Sequence, residues 1–123
     1  MNSTVTINKQ NKEVIYLEIN NPPVNALSLS LVEELNKAIR SISSDTRLVI
    51  FKGIGKGFCA GADLKERLEM SDEETIETVD KYREFFRKIE DLACPTISLL
   101  HGFVLGGGLE LALSCDFRFA MKD

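Results

Sequence analysis

A single carboxylate, Glu110, interrupts the apolar run HGFVLGGGLELALS at residues 101–114. Burying a charge between Leu109 and Leu111 would carry a large desolvation cost unless the carboxylate had polar partners. Glu110 therefore either points to water from an amphipathic helix or belongs to a site that uses a carboxylate as an acid or base. It lies three residues after Gly107, one helical turn along, so its side chain can project from the face that presents the Gly107 N–H.

Two glycine-rich stretches each follow an expected strand and lead into an expected helix. They are GIGKGFCAGADLKE at residues 53–66 and HGFVLGGGLE at residues 101–110. A strand-to-helix turn exposes backbone N–H groups to a ligand, and two such turns can supply a pair of donors. A nucleotide-phosphate loop is the alternative for the first stretch, but GIGKG fits neither GxGxxG nor GxxxxGK[ST], so that match is weak.

Hydrophobic periodicity predicts the elements that must position these loops. Strands are expected at residues 14–19, 47–53, 96–100 and 116–120, the second of them buried on both faces as in a parallel sheet. Capping boxes at Ser30/Glu33 and Ser71/Glu74 open two helices, the second running to about residue 91, and a third helix runs from the glycine triplet to about residue 114. The apolar stripes of the first two helices are expected to be Leu31, Leu35, Ala38, Ile39 and Ile42, and Ile76, Val79, Tyr82, Phe86 and Ile89. The order βαβαβαβ indicates an α/β fold with right-handed crossovers and chemistry in the loops at the strand ends.

Composition and charge exclude several classes of protein. The 123 residues, 44% of them hydrophobic, suit one modest core, so one domain at most is expected within residues 1–123. A net charge of -4 with scattered lysines and arginines gives no footprint for nucleic acid. The apolar stretch 96–115 is long enough to imitate a membrane span, but His101, Glu110 and the glycine triplet within it favour a strand, a turn and a buried helix.

The cysteines and the N-terminal residues bear on the compartment. Cys59, Cys94 and Cys115 are odd in number, lie far apart and form no CxxC pair, which favours a reducing compartment over a disulfide framework or a zinc site. The first residues, MNSTVTINKQNKEV, carry neither a secretory nor an organellar signal pattern. We therefore expect a cytoplasmic protein with no metal site.

Three stretches resemble the enoyl-CoA hydratase/isomerase (crotonase) family. GFCAGADLKE at residues 57–66 and GFVLGGGLELALSCDFRFA at residues 102–120 resemble its two signature loops, and NNPPVNALS at residues 20–28 resembles its first ligand-binding turn. The resemblance implies an α/β, crotonase-like ββα spiral, of which residues 1–123 would be the N-terminal part. It also implies a coenzyme A thioester as substrate, no separate cofactor, and a trimer or hexamer for the full-length protein.

The same resemblance implies roles for particular residues. The backbone N–H groups of Ala62 and Gly107 would form an oxyanion hole, because reaction of an acyl thioester moves negative charge onto its carbonyl oxygen. Glu110 would be the acid or base near the β-carbon of a trans-2-enoyl-CoA to which water is added. The substrate-binding residues that the resemblance implies are Val24, Ala26, Leu27, Ala60, Gly61, Asp63, Leu64 and Gly106.

The resemblance also leaves alternatives open. In hydratases of this family, the glutamate that matches Glu110 works with a second glutamate from a later segment. The sequence ends at Asp123, before that segment. We therefore expect the isolated chain to be an inactive part of the fold. The alternatives are an enoyl-CoA isomerase or other enolate-forming enzyme, and a non-catalytic module that binds acyl-CoA.

Other chemically capable residues have simpler explanations. Cys59 could be a nucleophile, but no signature pairs it with His101, the only histidine, so it is expected to be small buried filler. His101 is expected to make a turn hydrogen bond, and Asp63 to cap the helix that follows. Lys56 and Lys65 could meet the phosphates of coenzyme A, although single lysines near a loop are usually solvated.

Overall fold

The computed structural model describes residues 4–122, which form seven strands and four helices. In chain order they are β1 (Val5–Lys9), β2 (Val14–Ile19), β3 (Ala26–Leu27), α1 (Leu29–Arg40), β4 (Leu48–Gly53), β5 (Gly61–Ala62), α2 (Leu64–Leu68), α3 (Asp72–Glu90), β6 (Thr96–Leu100), α4 (Gly107–Ser114) and β7 (Phe117–Ala120). The four predicted strands and three predicted helices are present within two residues of their expected ends. The predicted order omitted four elements: β1, β3, β5 and α2. β1 is a largely exposed edge strand, β3 and β5 have two residues each, and α2 has five, so none of them carries a clear hydrophobic pattern.

The main sheet has five strands in the order β1-β2-β4-β6-β7. β1 pairs antiparallel with β2, and the remaining neighbours pair in parallel. The predicted burial of the second strand on both faces is confirmed for β4, where Val49, Ile50 and Phe51 are all buried. β2 instead alternates between buried and half-buried residues, which is the pattern of a strand with one face towards the core.

The core lies between one face of this sheet and the helices. Side chains from β2 and β4 form one buried cluster with residues from α1, α3 and α4. The predicted stripe of α1 is confirmed, with Ile42 packed at the margin of the cluster. The predicted stripe of α3 is wrong in part, because Ile76 is 65% exposed and Phe85 is fully buried. The buried residues of α3 are Thr78, Tyr82, Phe85 and Ile89, and the helix contacts α1 and α4.

Helix starts follow the side chains that accept backbone hydrogen bonds. The N-cap of α1 is Ser28, whose Oγ accepts from the Leu31 N–H at 3.2 Å, so the predicted capping box at Ser30/Glu33 begins two residues too late. Ser71 caps α3 as predicted, accepting from the Glu74 N–H at 3.2 Å. Serine at residues 28 and 30 offers two alternative caps, and the tertiary fold selects the first.

The β7 side of the sheet is open. β7 pairs only with β6, and each of its four residues is exposed, with Phe117 at 57% and Phe119 at 60%. Leu109 and Leu113 on α4 are exposed as well. The last strand of the sheet therefore leaves apolar side chains exposed. None of the helices within residues 4–122 has the length and apolar character needed to cross a membrane.

Candidate active site

The two glycine-rich loops are joined directly to each other. Phe58 N–H donates to the carbonyls of His101 at 2.9 Å and Phe103 at 3.1 Å, and Leu105 N–H donates to the Cys59 carbonyl at 3.1 Å. Cys59 and Val104 form an isolated parallel bridge. The segments that precede α2 and α4 therefore run side by side, as the expectation of a shared ligand site requires.

A third loop, residues 20–27, is tied to this pair through Asn25. Asn25 is 2% exposed, and its Nδ2 donates to the carbonyls of Ile54 at 2.9 Å, Gly57 at 3.0 Å and Phe58 at 3.3 Å. Its Oδ1 accepts from the Asn21 N–H at 2.8 Å. Asn25 has a φ of 53°, in the left-handed region that asparagine tolerates better than most residues. One side chain therefore fixes the loop before α1 against the loop before α2.

Two glycines allow the loops to approach this closely. Gly61 has a φ of 94°, and a Cβ there would lie 2.8 Å from the Leu105 carbonyl oxygen. A Cβ on Gly108 would lie 2.2 Å from the Cys59 carbonyl oxygen. Neither position can hold a side chain without movement of the backbone, so both glycines are required for the first turn of α4 to sit against β5.

The N-terminus of α4 presents a backbone amide beside Ala62. The N–H groups of Gly108 and Glu110 donate to the carbonyls of Leu105 and Gly106, whereas no residue among 4–122 accepts a hydrogen bond from Gly107 N–H. A Cβ placed on Gly107 would lie 4.0 Å from the Ala62 nitrogen and 3.2 Å from Leu27 Cδ2. The unpaired amide also lies at the positive end of the helix dipole, which favours a negative charge nearby.

A cavity of about 330 Å³ opens at this point. Four predicted site residues, Leu27, Ala62, Gly107 and Glu110, line it together. The remaining lining residues come from α2 and α3: Arg67, Val79, Tyr82, Arg83 and Phe86. The walls are thus largely apolar, with backbone amides, one carboxylate and two guanidinium groups as polar features.

Glu110 lies on α4 and is one of the residues that line this cavity. Leu111, the next residue, is fully buried, whereas Glu110 is exposed. Glu110 therefore escapes the desolvation cost of the core and also lines the cavity, and its role as an acid or base stays a prediction. The amphipathic α4 separates these roles, because Gly108, Leu111 and Ala112 pack inward.

Tyr82 supports the floor of the cavity. Its hydroxyl donates a hydrogen bond to the Leu27 carbonyl, which links α3 to β3. Burial, together with the nearby negative charge of Glu66, raises the pKa of Tyr82 to about 12, so the hydroxyl stays protonated and remains a donor. The guanidinium carbon of Arg67 lies 5.6 Å from the centre of the Tyr82 ring, within the range of a cation–π contact.

The other predicted substrate-binding residues are not among those that line the cavity: Val24, Ala26, Ala60, Gly61, Asp63, Leu64 and Gly106. Val24 is partly exposed, and its carbonyl accepts from the Ala60 N–H at 3.1 Å. Ala26 pairs with Gly61 across β3 and β5. Leu64 is 74% exposed, and Gly106 is the N-cap of α4 with a φ of 50°. A role for these residues in binding stays a prediction.

The structure agrees with the simpler explanations that were given for the other chemically capable residues. Asp63 caps α2, accepting from the N–H groups of Lys65 at 3.1 Å and Glu66 at 3.2 Å. Cys59 is fully buried, and burial raises its thiol pKa, which disfavours the thiolate that a nucleophile needs. His101 Nε2 hydrogen-bonds the Gly55 carbonyl at 2.7 Å. Lys56 and Lys65 are exposed.

Arg67 and Arg83 are the site residues that sequence reasoning missed. Neither belongs to a periodic apolar stripe, and α2, which carries Arg67, was not predicted. The predicted cap at Asp63 could have revealed Arg67. A helix that starts at residue 64 places Arg67 about one turn after the cap, close to the loop that precedes the helix.

Most of the chain is similar to proteins of one known family. The family described as Enoyl-CoA hydratase/isomerase matches residues 9–123. Methylglutaconyl-CoA hydratase, mitochondrial, of Homo sapiens is 43% identical over 121 residues, covering 95% of this chain and 36% of that protein. Enoyl-CoA isomerase/hydratase fer4 of Mycosarcoma maydis is 40% identical over 120 residues, covering 89% of this chain and 44% of that protein.

The fold has a close counterpart among solved structures. The enoyl-CoA hydratase from Bacillus anthracis superposes with a TM-score of 0.91 at 39% identity, covering 96% of this chain and 47% of that one. The expected crotonase-like α/β fold is confirmed. The chain spans less than half the length of each of these three proteins.

Proposed function

Because the chain belongs to the enoyl-CoA hydratase/isomerase family, we propose that the full-length protein adds water to a trans-2-enoyl-CoA thioester. The observation that carries the proposal is that Gly107, Ala62 and Glu110 line one cavity with apolar walls. Coenzyme A is then part of the substrate, and no separate cofactor is needed. The names of the hydratase relatives support the same class of reaction.

The proposed chemistry begins with polarisation of the thioester. The N–H groups of Gly107 and Ala62 bind its carbonyl oxygen, which becomes more negative as the β-carbon is attacked. The unpaired state of the Gly107 N–H and its place at the start of α4 support this role. Glu110 takes a proton from water as the water oxygen bonds to the β-carbon, and protonation of the α-carbon completes the addition. The family resemblance implies a second carboxylate for that last step, from outside residues 4–122.

The test is Glu110→Gln in the full-length protein, which keeps the side-chain shape and removes the base. Hydration, followed by loss of the conjugated thioester's ultraviolet absorbance, should fall by roughly 10²- to 10⁴-fold, with thioester affinity nearly unchanged. The matched control is Glu77→Gln on α3. Glu77 is exposed and does not line the cavity, so this change should leave the rate of hydration unaltered. Near-normal hydration by Glu110→Gln would remove Glu110 from the mechanism.

Double-bond isomerisation is a second candidate. Its support is that Glu110 is the one carboxylate lining the cavity within residues 4–122, and one carboxylate suffices to move a proton between two carbons. Nuclear magnetic resonance of the products distinguishes the two, because hydration gives a 3-hydroxyacyl thioester and isomerisation gives a shifted alkene. Thioester binding without turnover by the wild-type protein would instead support a non-catalytic acyl-CoA module.

We also propose a reducing, cytoplasmic location and a homo-oligomer. The three cysteines are free, which agrees with a reducing compartment. Exposed Phe117, Phe119 and Leu113 supply apolar surface that association could cover. Size-exclusion chromatography of the full-length protein tests the second point, and a monodisperse monomer would contradict it.

A further inference from the structure

The cavity contains more positive than negative charge. Arg67 and Arg83 contribute two guanidinium groups to its lining, and Glu110 contributes one carboxylate. A site for a purely hydrocarbon acyl chain gains nothing from cations in its wall, because each cation must keep its hydration or find a partner. A cation in this wall without a carboxylate partner therefore needs an explanation that polarisation of a thioester and attack by water do not supply.

Arg67 is the better placed of the two. It is half-buried, whereas Arg83 is largely exposed and lies 3.9 Å from Asp80 one turn away on α3. The ion pairs formed among residues 4–122 are Lys52–Glu18 and Arg83–Asp80, so Arg67 has no carboxylate partner there. Its neighbour Glu66 instead accepts a hydrogen bond from the Leu29 N–H at 3.1 Å, at the start of α1.

The packing of Arg67 holds its guanidinium in the cavity wall. The group lies over the Tyr82 ring, and Tyr82 is fixed in turn by its hydrogen bond to the Leu27 carbonyl. A planar guanidinium held in this way keeps its edge N–H groups available, and such an edge matches a carboxylate through two parallel hydrogen bonds.

We infer that Arg67 recognises a carboxylate on the acyl chain, so that the preferred substrate is an enoyl-CoA thioester with a second, anionic end. The inference rests on the proposed function. The phosphates of coenzyme A are the other source of negative charge. The cavity favours the acyl chain, because Arg67 shares it with Glu110 and Gly107, beside which the proposed function puts the reacting carbons, and with the apolar Val79 and Phe86.

The experiment compares two trans-2-enoyl-CoA thioesters that differ only at the end of the acyl chain, one bearing a methyl group and the other a carboxylate. Both carry the same coenzyme A phosphates. The wild-type full-length protein should show a kcat/KM at least roughly tenfold higher for the carboxylate substrate. Arg67→Met, which keeps a long unbranched stem, should lower kcat/KM for the carboxylate substrate by roughly 10- to 100-fold more than it lowers kcat/KM for the methyl substrate.

Two further variants separate recognition from structure. Arg67→Lys should restore part of the preference, since it keeps the charge and loses the fork of donors. Arg40→Met removes a cation at the exposed end of α1, outside the cavity lining. It should leave kcat/KM unchanged for both substrates. Thermal unfolding of each variant establishes that it is folded.

Each other outcome overturns the inference. An equal loss for both substrates in Arg67→Met would place Arg67 on the coenzyme A phosphates or in the structure alone. Hydration of the methyl substrate with no preference for the carboxylate would refute the inference and leave the proposed function intact. Failure of the wild-type protein to act on either thioester would refute both.

Discussion

Replacement of Asn25 should loosen the whole site, although Asn25 does not line the cavity. Its side chain joins the loop before α1 to the carbonyls of Ile54, Gly57 and Phe58 in the loop before α2. Asn25→Ala removes these bonds together with the one from the Asn21 N–H. The carbonyls of Gly57 and Phe58, whose bonds to Asn25 are buried, then lose a partner that water cannot easily replace.

The size of the effect follows from two terms. The two hydrogens of Nδ2 and the acceptor Oδ1 support three good hydrogen bonds, each contributing about 1 kcal/mol net, for a loss of about 3 kcal/mol. Alanine at a φ of 53° adds about 1 kcal/mol of left-handed strain, giving about 4 kcal/mol in all. Asn25→Gly avoids that strain but makes the unfolded chain more flexible, which costs about 0.4–1 kcal/mol, so it should be less destabilising than Asn25→Ala by up to about 0.6 kcal/mol.

The assay is urea unfolding of the full-length protein at one fixed concentration, with the free energy of unfolding taken from midpoint and slope. Asn20→Ala, an exposed asparagine in the same loop, is the control and should change stability by less than about 0.5 kcal/mol. A loss below about 1 kcal/mol for Asn25→Ala would refute the tying role of this side chain. A glycine variant less stable than the alanine variant would refute the conformational term.

Two further predictions concern the amide and the thiols. Gly107→Pro deletes the proposed oxyanion donor at a helix position that accepts proline, and should lower kcat by roughly 10²- to 10³-fold. Gly107→Ala keeps the N–H and places its Cβ 3.2 Å from Leu27 Cδ2, so it should lower kcat much less. Equal kcat values for the two variants would exclude the Gly107 N–H as the donor. Burial raises the pKa of the Cys115 thiol from 9.0 to about 11, so the unfolded chain releases this proton first and the free energy of unfolding should fall as pH rises from about 9 to 11. Denaturation curves across that range check the sign, and a protein whose stability rises there would contradict it.

Local sequence patterns determined many of the strands and helices. The apolar runs at residues 14–19 and 48–53 specify β2 and β4, because a buried strand needs little beyond a short stretch of β-branched and aromatic residues. Ser71 specifies the start of α3 through a bond between residues three apart. The helical spacing of Gly107 and Glu110 likewise places amide and carboxylate on one side of α4 whatever the rest of the chain does. In each case the deciding interaction spans only a few residues.

Tertiary packing decided the rest. Ser28 and Ser30 are both competent caps, and Ile76 and Phe85 both fit a helical stripe, so local energies differ too little to choose between them. The choice falls to the neighbours against which α1 and α3 pack. Arg67 and Glu110 meet at one cavity across 43 residues of sequence because the Asn25 hydrogen bonds and the glycine contacts bring three loops together. A sequence pattern carries no distance between such segments, since their approach depends on the fit of side chains and backbone that only the folded chain brings into contact.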